Sequence, residues 1–150
     1  MNISITGTLG SGKSSVCKIL KENGYDIISN GVLFREIAEE KGITVVELNE
    51  LAKKDKSIDD MLDERSIRLG KELDSTIFDS RMGWHFIPDS FKVFLLADMT
   101  EAGRRVYNDN RVSESYNDPA TAKADLIKRQ LMEKKRIRVE TNITTLSSAV

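Results

Sequence analysis

The chain has 150 residues, of which 39% are hydrophobic and 31% charged, and its formal net charge is −1. This length fits one compact domain, and the near-neutral charge argues against binding to a nucleic acid polymer. No apolar run is long enough to span a bilayer, and the N-terminus lacks the pattern of a signal peptide. The single cysteine, Cys17, excludes an internal disulfide and favours a reducing compartment. We therefore expect a cytoplasmic protein.

The first half of the chain predicts alternating strands and helices. Residues 2–6 alternate in polarity as a strand does, and a helix follows at 13–23 with Gly24 at its C-terminal stop. The further predictions are a strand at 25–28, a helix capped by Asn30 and closed by Gly42, a helix opened by the capping box at Thr44, and a helix starting at Ser57 or Asp59.

The second half continues this pattern. A short apolar strand at 76–78 ends in Asp79, and a longer apolar strand covers 91–97. Thr100 is predicted to cap a helix that reaches about Asn108, and Asp118 caps a long helix that begins at Pro119 and reaches about Val139. Apolar strands that alternate with helices predict an α/β fold, a parallel sheet flanked by helices.

The most informative motif lies where the first strand meets the first helix. Residues 7–14 read GTLGSGKS and match G-x-x-x-x-G-K-[ST], the P-loop. Its glycines let successive backbone N–H groups point at phosphate oxygens, Lys13 reaches the β- and γ-phosphates, and the Ser14 hydroxyl holds Mg²⁺. We therefore predict a P-loop NTPase fold with ATP and Mg²⁺ as ligands. The predicted ATP-binding residues are Gly7, Thr8, Gly10, Ser11, Gly12, Lys13, Ser14 and Ser15.

A P-loop by itself is compatible with a GTPase, an ATPase motor or a small-molecule kinase. The chain has no Asn-Lys-x-Asp motif for guanine, and its length leaves no room for motor machinery. Asp79 closes an apolar strand, which is the Walker B arrangement for the Mg²⁺ shell and adds a metal-binding candidate to Ser14. Arginines at 35, 81, 105, 111 and 129 suit the binding of phosphate groups, because the guanidinium matches phosphate oxygens. These features favour a kinase.

Several spaced segments resemble the cytidylate kinase-like branch of the nucleoside monophosphate kinases. They include residues 5–14, 28–38, 47–52 and 58–65, as well as 79–84 (DSRMGW) and 129–136 (RQLMEKKR). The resemblance covers about residues 1–138. It implies transfer of the ATP γ-phosphate to CMP or dCMP, small-molecule nucleotides as the binding partners, and a monomer in preference to a homodimer.

The resemblance also implies a domain organisation and a set of roles. Residues 1–150 would form one domain with a five-stranded parallel core (about 1–28, 75–107 and 120–150), an acceptor-binding helical insert (about 29–74) and a short lid (about 108–119). The implied acceptor-binding residues are Ser29, Asn30, Arg35 and Arg81. The implied catalytic residues are Lys13, Arg81, Arg105, Arg111 and Arg129.

Two departures from the family pattern keep alternatives open. Asn30-Gly31-Val32 stands where relatives often carry a carboxylate, and residues 141–150 differ from the segment that forms a last strand in relatives. One alternative is a kinase for a non-nucleotide molecule, whose hydroxyl would need a base such as Asp79. The other is a nucleotide-binding protein without turnover, if the altered C-terminus removes ATP binding. The lone His85 and Cys17 are interpreted as structural residues.

Overall fold

The computed structural model describes residues 1–108 and 116–141, with side chains through residue 132. Strands and helices alternate along this part of the chain, as the sequence predicts. The elements in chain order are β1 (Ile3–Gly7), α1 (Lys13–Glu22), β2 (Asp26–Ser29), α2 (Asn30–Lys41), α3 (Val45–Ala52), α4 (Ser57–Glu72), β3 (Thr76–Asp79), α5 (Gly83–Phe86), β4 (Phe91–Leu95), α6 (Met99–Asn108) and α7 (Pro119–Thr141).

The described strands form a parallel sheet in the order β2-β3-β1-β4. Its register pairs Ile3 of β1 with Ile77 of β3 and with Phe91 of β4. Near the carboxyl end of the sheet, Asp79 of β3 pairs with Ser29 of β2. This topology confirms the predicted α/β P-loop fold, in which ligands bind outside the carboxyl ends of the strands. A fifth strand at residues 142–150 would lie outside the described residues.

The chain divides into two compact units. The first contains residues 1–7 and 13–95, which include the whole described sheet and helices α1 to α5. The second contains residues 8–12 and 96–150, which include α6 and α7. The P-loop motif therefore contributes its central residues 8–12 to the second unit and its two ends to the first.

The first unit has two separate hydrophobic clusters. One lies between the sheet and α1, and its buried members are Ile3, Ile5, Cys17 and Ile77. The other lies among α2, α3 and α4, and its buried members are Ile37, Ala38, Leu48 and Ile58. The helical insert thus buries apolar surface of its own, which gives it a core distinct from that of the sheet.

The N-terminal cap of α2 differs from the prediction. The hydroxyl of Ser29 accepts a hydrogen bond from the Val32 N–H at 3.3 Å, and Asn30, the predicted cap, is the first residue of the helix. Strand β2 runs into α2 without a loop, so the last strand residue has the extended backbone that a cap requires. The prediction of Asn30 as the cap was wrong by one residue.

The cap of α6 differs in the same way. Oδ1 of Asp98 accepts hydrogen bonds from the N–H groups of Thr100 and Glu101 at 2.9 and 3.3 Å. Asp98 is therefore the cap, and Thr100, the predicted cap, lies within the first turn of a helix that begins at Met99. The carboxylate of Asp98 satisfies two of the N–H groups that a helix start leaves unpaired.

Other boundaries agree with the sequence or differ for simple reasons. The capping box at Thr44 and the cap at Asp118 are both confirmed. Strand β4 ends at Leu95, two residues before its predicted end, because its partner β1 ends at Gly7 in the paired position. The one-turn helix α5 was not predicted, since four residues carry no helical period. Among the residues described, no helix is both long enough and apolar enough to cross a bilayer.

Candidate active site

The first unit brings Lys13 to the carboxyl end of β1. Its ammonium Nζ donates a hydrogen bond to the carbonyl oxygen of Gly7 at 3.3 Å. Gly7 itself accepts no side chain, because a Cβ there would overlap the backbone of Leu95 in the adjacent strand. The close approach of two strands thus requires glycine at the first P-loop position, and Lys13 lies folded over the end of that strand.

Asp79 lies at the end of β3, within electrostatic reach of Lys13. Burial raises the pKa of Asp79 above its ordinary value, and the attraction of Lys13 partly offsets that rise. The pKa of the Cys17 thiol is also raised, mainly by burial and further by the charge of Asp79. The structure therefore brings together the ammonium and the carboxylate that the sequence predicts for a phosphate and metal site.

The central P-loop residues, in the second unit, adopt a conformation that depends on glycine. Gly10 and Gly12 have φ values of 72° and 92°, which favour glycine over other residues. A Cβ on Gly10 would lie 2.8 Å from the Cβ of Ala102 in α6, too close to be accommodated. A Cβ on Gly12 would meet only the Nη1 of Arg105, at 4.0 Å, within the described residues. Gly10 thus packs against α6, whereas the surface at Gly12 is open.

Hydrogen bonds hold this loop in place. The Ser11 N–H donates to the carbonyl of Thr8 at 3.2 Å, and the Thr8 hydroxyl accepts from the Ala97 N–H at 3.3 Å. The Ser11 Oγ is buried and has no hydrogen-bond partner among the described residues. Leaving a buried hydroxyl without a hydrogen-bond partner lowers the stability of the folded protein. It is consistent with a loop that receives a polar ligand.

The residues present also fit a magnesium ion. Ser14 follows Lys13 in α1 with its side chain exposed, and Asp79 supplies a carboxylate in the same unit. Hydroxyl and carboxylate oxygens are ligands that Mg²⁺ accepts, with phosphate oxygens and water completing its shell. Ser15, the last predicted ATP-binding residue, is exposed on the first turn of α1.

Three of the four predicted acceptor residues, Ser29, Asn30 and Arg35, lie at the start of α2. A Cβ on Gly31 would lie 3.7 Å from the Ser29 Oγ and 3.9 Å from Arg35 Nη1, so the guanidinium is folded back toward the first turn of the helix. Asn30 lies between Ser29 and Gly31 and is half-buried. Arg81 lies two residues beyond Asp79 and is exposed. The structure places all four predicted acceptor residues at or just beyond the ends of the adjacent strands β2 and β3.

Two predicted catalytic arginines of the second unit have carboxylate partners. Arg105 Nε donates to Glu101 Oε1 at 2.9 Å, and Arg129 Nη1 lies 3.7 Å from Asp125 Oδ2. Asp125 also accepts a hydrogen bond from the Tyr116 hydroxyl at 2.6 Å. Arg111, most of the predicted lid (108–119) and the tail 142–150 lie outside the described residues.

Sequence reasoning missed Glu101 and Asp125. Each lies four residues before the arginine that it contacts, which is the spacing of an ion pair on one helix face. That spacing was therefore readable from the sequence. The roles of all these side chains in binding and catalysis remain predictions.

Comparisons with known proteins agree with this geometry. A family model described as "AAA domain" matches residues 3–123. A cytidylate kinase of Methanothermobacter thermautotrophicus is 32% identical over 139 residues, which are 92% of this chain and 83% of that protein. A cytidylate kinase of Methanobrevibacter smithii is 32% identical over 107 residues, 71% of this chain, and the aligned part spans only 62% of that protein's length.

A solved structure shows the same fold. The shikimate kinase of Bacteroides thetaiotaomicron superposes with a TM-score of 0.61 over 91% of this chain and 80% of its own, at 16% identity. At this level of identity the likeness concerns the arrangement of strands and helices, and the substrate of that enzyme does not transfer to this chain.

Proposed function

The chain belongs to the cytidylate kinase-like family of P-loop kinases, and we propose that it transfers the γ-phosphoryl group of ATP to a nucleoside monophosphate, with CMP and dCMP preferred. The observation that carries the proposal is that Lys13 and Asp79 lie at the carboxyl ends of the adjacent strands β1 and β3, close enough for the charge of Lys13 to lower the pKa of Asp79. An ammonium at the start of the helix that follows a P-loop, with a carboxylate at the end of the neighbouring strand, suits a triphosphate with its metal ion.

The start of α2 supports a phosphate as the acceptor group. Helix N-termini favour anions, and at this one the Ser29 hydroxyl and the Arg35 guanidinium lie 3.7 and 3.9 Å from the position that a Cβ on Gly31 would occupy. A guanidinium can bind two phosphate oxygens at once. Arg81, beyond the end of the neighbouring strand, supplies a second guanidinium in the same unit. We therefore place the monophosphate at Ser29, Asn30, Arg35 and Arg81.

The proposed reaction needs no general base. The acceptor phosphate has a second pKa of about 6, so near neutral pH its oxygen is already an anion that attacks the γ-phosphorus. A bond forms between that oxygen and the γ-phosphorus, and the bond from the γ-phosphorus to the bridging β-phosphate oxygen breaks. ADP leaves with the electron pair. This chain's side chains orient both phosphates and offset the developing charge, with Lys13, Arg81, Arg105, Arg111 and Arg129 in that role.

Magnesium would be held by Ser14 and Asp79 together with phosphate oxygens. When bound, Mg²⁺ neutralises part of the phosphate charge. Lys13 donates to the Gly7 carbonyl in this structure, and its ammonium has three N–H donors, so donors are left for phosphate oxygens when ATP binds. The 3.3 Å contact with a neutral carbonyl is long for a hydrogen bond and weaker than a contact with an anion.

The test is a coupled ADP-release assay with CMP, dCMP, UMP and AMP as acceptors. We expect CMP and dCMP to be the best substrates, UMP to be poorer and AMP poorest, since a pyrimidine site leaves the polar groups of a purine unpaired. Val32 has no polar side-chain group, so selection of the base falls to Ser29, Asn30 or a carboxylate of residues 59–64.

The matched variant for this assay is Lys13→Ala. We expect its turnover to fall by about 10²- to 10³-fold, the loss typical of one removed charge-stabilising group, with an unchanged melting temperature. Equal losses of turnover and of thermal stability would show that Lys13 is structural. Turnover of AMP above that of CMP would overturn the acceptor but leave the kinase. ATP binding without turnover of any monophosphate would favour a hydroxyl acceptor, and absence of ATP binding would overturn the proposal altogether.

A further inference from the structure

The Arg105 side chain is oriented by a carboxylate on its own helix. Its Nε donates to Glu101 Oε1 at 2.9 Å. Its Nη1 lies on the opposite side of the guanidinium group from that bond, 4.0 Å from the position that a Cβ on Gly12 would occupy. One end of the guanidinium group is therefore held by Glu101, and the other end faces the P-loop residue whose surface is open.

Glu101 is itself held in place by a second arginine. Arg104 Nε donates to Glu101 Oε2 at 2.8 Å, and Arg104 Nη2 donates to Oε1 at 2.7 Å. Such a two-bond contact restricts the rotation of the carboxylate. The two arginines lower the pKa of Glu101 to about 2, so the carboxylate is ionised throughout the pH range in which a kinase is assayed.

The helix that carries these residues has a fixed position relative to the P-loop centre. Ala102 is fully buried, and its Cβ is the atom that a Cβ on Gly10 would approach to 2.8 Å. On the other side of α6, a Cβ on Gly103 would approach the Cβ of Lys123 in α7 to the same distance. Since α6 cannot shift without opening these contacts, the orientation of Arg105 depends on its own side-chain angles.

The ion pairs have little value for stability. The side chains of Glu101 and Arg105 are 36% and 48% exposed, and exposed pairs at this spacing contribute little to folding. The carboxylate also lies beside a cation that is predicted to serve phosphoryl transfer, where it reduces the local positive charge. The Glu101–Arg105 ion pair reduces the positive charge available to a phosphate and adds little stability. This combination indicates that Glu101 serves to orient the Arg105 side chain.

We propose that Glu101 is a positioning residue, which holds the Arg105 guanidinium group over the open surface at Gly12 so that its outer nitrogens meet the terminal phosphate of bound ATP. This inference rests on the proposed function. Without Glu101 the guanidinium group samples other rotamers, and fewer molecules have Arg105 in place when phosphates are aligned.

The test is a double-mutant cycle on full-length protein. Glu101→Ala is expected to lower kcat by about tenfold with an unchanged KM for the acceptor and an unchanged melting temperature, and Arg105→Ala to lower kcat further. The double variant should match Arg105→Ala alone, since Glu101 acts only through that arginine. Glu101→Gln, which keeps an oxygen acceptor, should recover part of the loss.

Arg68→Ala is the matched control. It removes an exposed arginine that contacts a carboxylate, Glu72, at the same four-residue spacing, and its kcat is expected to stay within about twofold of the wild-type value. A loss in Glu101→Ala that persists in the Arg105→Ala background would overturn the proposal. So would a wild-type kcat for Glu101→Ala.

A binding measurement separates this inference from the proposed function. If no monophosphate is turned over, the four proteins of the double-mutant cycle (the wild type, the two alanine variants and the double variant) are titrated with ATP and with ADP. Glu101→Ala should then weaken ATP binding, Arg105→Ala should weaken it further, and both should leave ADP binding unchanged, because only ATP carries the phosphate that Arg105 meets. Unaltered ATP affinity in Glu101→Ala would contradict the positioning role even then.

Discussion

The helical insert and the α6–α7 pair hold their predicted phosphate-binding arginines in different ways. Arg35 lies on α2, whose Ile37 and Ala38 are buried with Leu48 and Ile58 in an aliphatic cluster. Arg105 lies on α6, which packs against Lys123 of α7 at Gly103, and its orientation depends on Glu101. In the insert the core fixes the helix that carries the arginine, whereas on α6 a surface carboxylate also fixes the direction of the arginine side chain.

The insert has an additional tie between its helices. Arg65 of α4 donates to Glu40 at 2.6 Å and to Glu36 at 3.4 Å, both on α2. The Arg65 side chain is only 16% exposed, and the two carboxylates raise its pKa. The comparison teaches that packing fixes the position of the helix in both regions, whereas the direction of a long side chain on that helix depends on the polar group it contacts, which is Glu101 for Arg105.

The largest expected effect breaks the insert's core. Leu48 is fully buried, so Leu48→Ala should lower the free energy of unfolding by about 2–5 kcal/mol, from lost burial and a cavity. The matched control is Val46→Ala on the same helix, 71% exposed, with an expected change within about 0.5 kcal/mol. Urea unfolding measures both. Equal effects of the two substitutions would contradict a separate core in the insert.

The second prediction tests the arginine on that core. Arg35→Ala should weaken acceptor binding by one to two orders of magnitude, since a charge-assisted hydrogen bond contributes about 1.5–3 kcal/mol, and should leave ATP binding unchanged. Lys41→Ala removes an exposed cation from the same helix and should leave both affinities unchanged. Isothermal titration calorimetry with CMP and with ATP measures the two affinities. A larger loss for ATP than for the monophosphate would reverse the two sites.

The third prediction concerns the contact between α6 and α7. Gly103→Ala places a Cβ 2.8 Å from Lys123 Cβ and 3.0 Å from the Lys123 backbone nitrogen, so the helices must separate. We expect a net loss of about 1–2 kcal/mol, because overpacking outweighs the helix-forming gain of alanine. Thermal unfolding of this variant, of Lys123→Gly and of the double variant measures the coupling. Strictly additive losses would show that the two positions do not interact.

The smallest expected effect lies outside both regions, at Asp79. Burial raises the folded pKa of Asp79 above its ordinary value of 3.8, so the stability this group confers is complete below that pH and is lost as the pH rises through the folded pKa. Asp79→Asn should therefore melt at a higher temperature than the wild type near neutral pH in EDTA, with a smaller difference at acidic pH. The exposed Asp89→Asn is the control.

Activity gives the opposite result in the same variant. Asp79→Asn should lose magnesium-dependent turnover, because a neutral amide replaces the carboxylate proposed to hold the ion. If the Asp79 carboxylate is buried for function at a cost in stability, its replacement should give a variant that is more stable and less active. A melting temperature below that of the wild type at neutral pH would show that Asp79 stabilises the fold through its charge.

Local signals in the sequence determined the order of the elements and the identity of the P-loop. The alternation of residues 2–6, the Thr44 capping box and the Asp118 cap concern neighbours only a few residues apart, and all three agree with the structure. The positions of the P-loop glycines could also be predicted, since glycine adopts the positive φ angles of this loop without steric strain. The family resemblance rests on such local segments.

Tertiary structure decided what depends on contacts between distant residues. Ser29 pairs with Asp79 because β2 and β3 are adjacent, and the Asn2 side chain donates to the carbonyls of Gly70 and Leu73, which lie 68 and 71 residues further along the chain. Neither contact has a signal in local spacing. The cap at Ser29 was missed by one residue because β2 runs directly into α2, so the last paired residue of the strand is also the cap. The cap at Asp98 was missed by two residues, and it lies three residues beyond the end of β4.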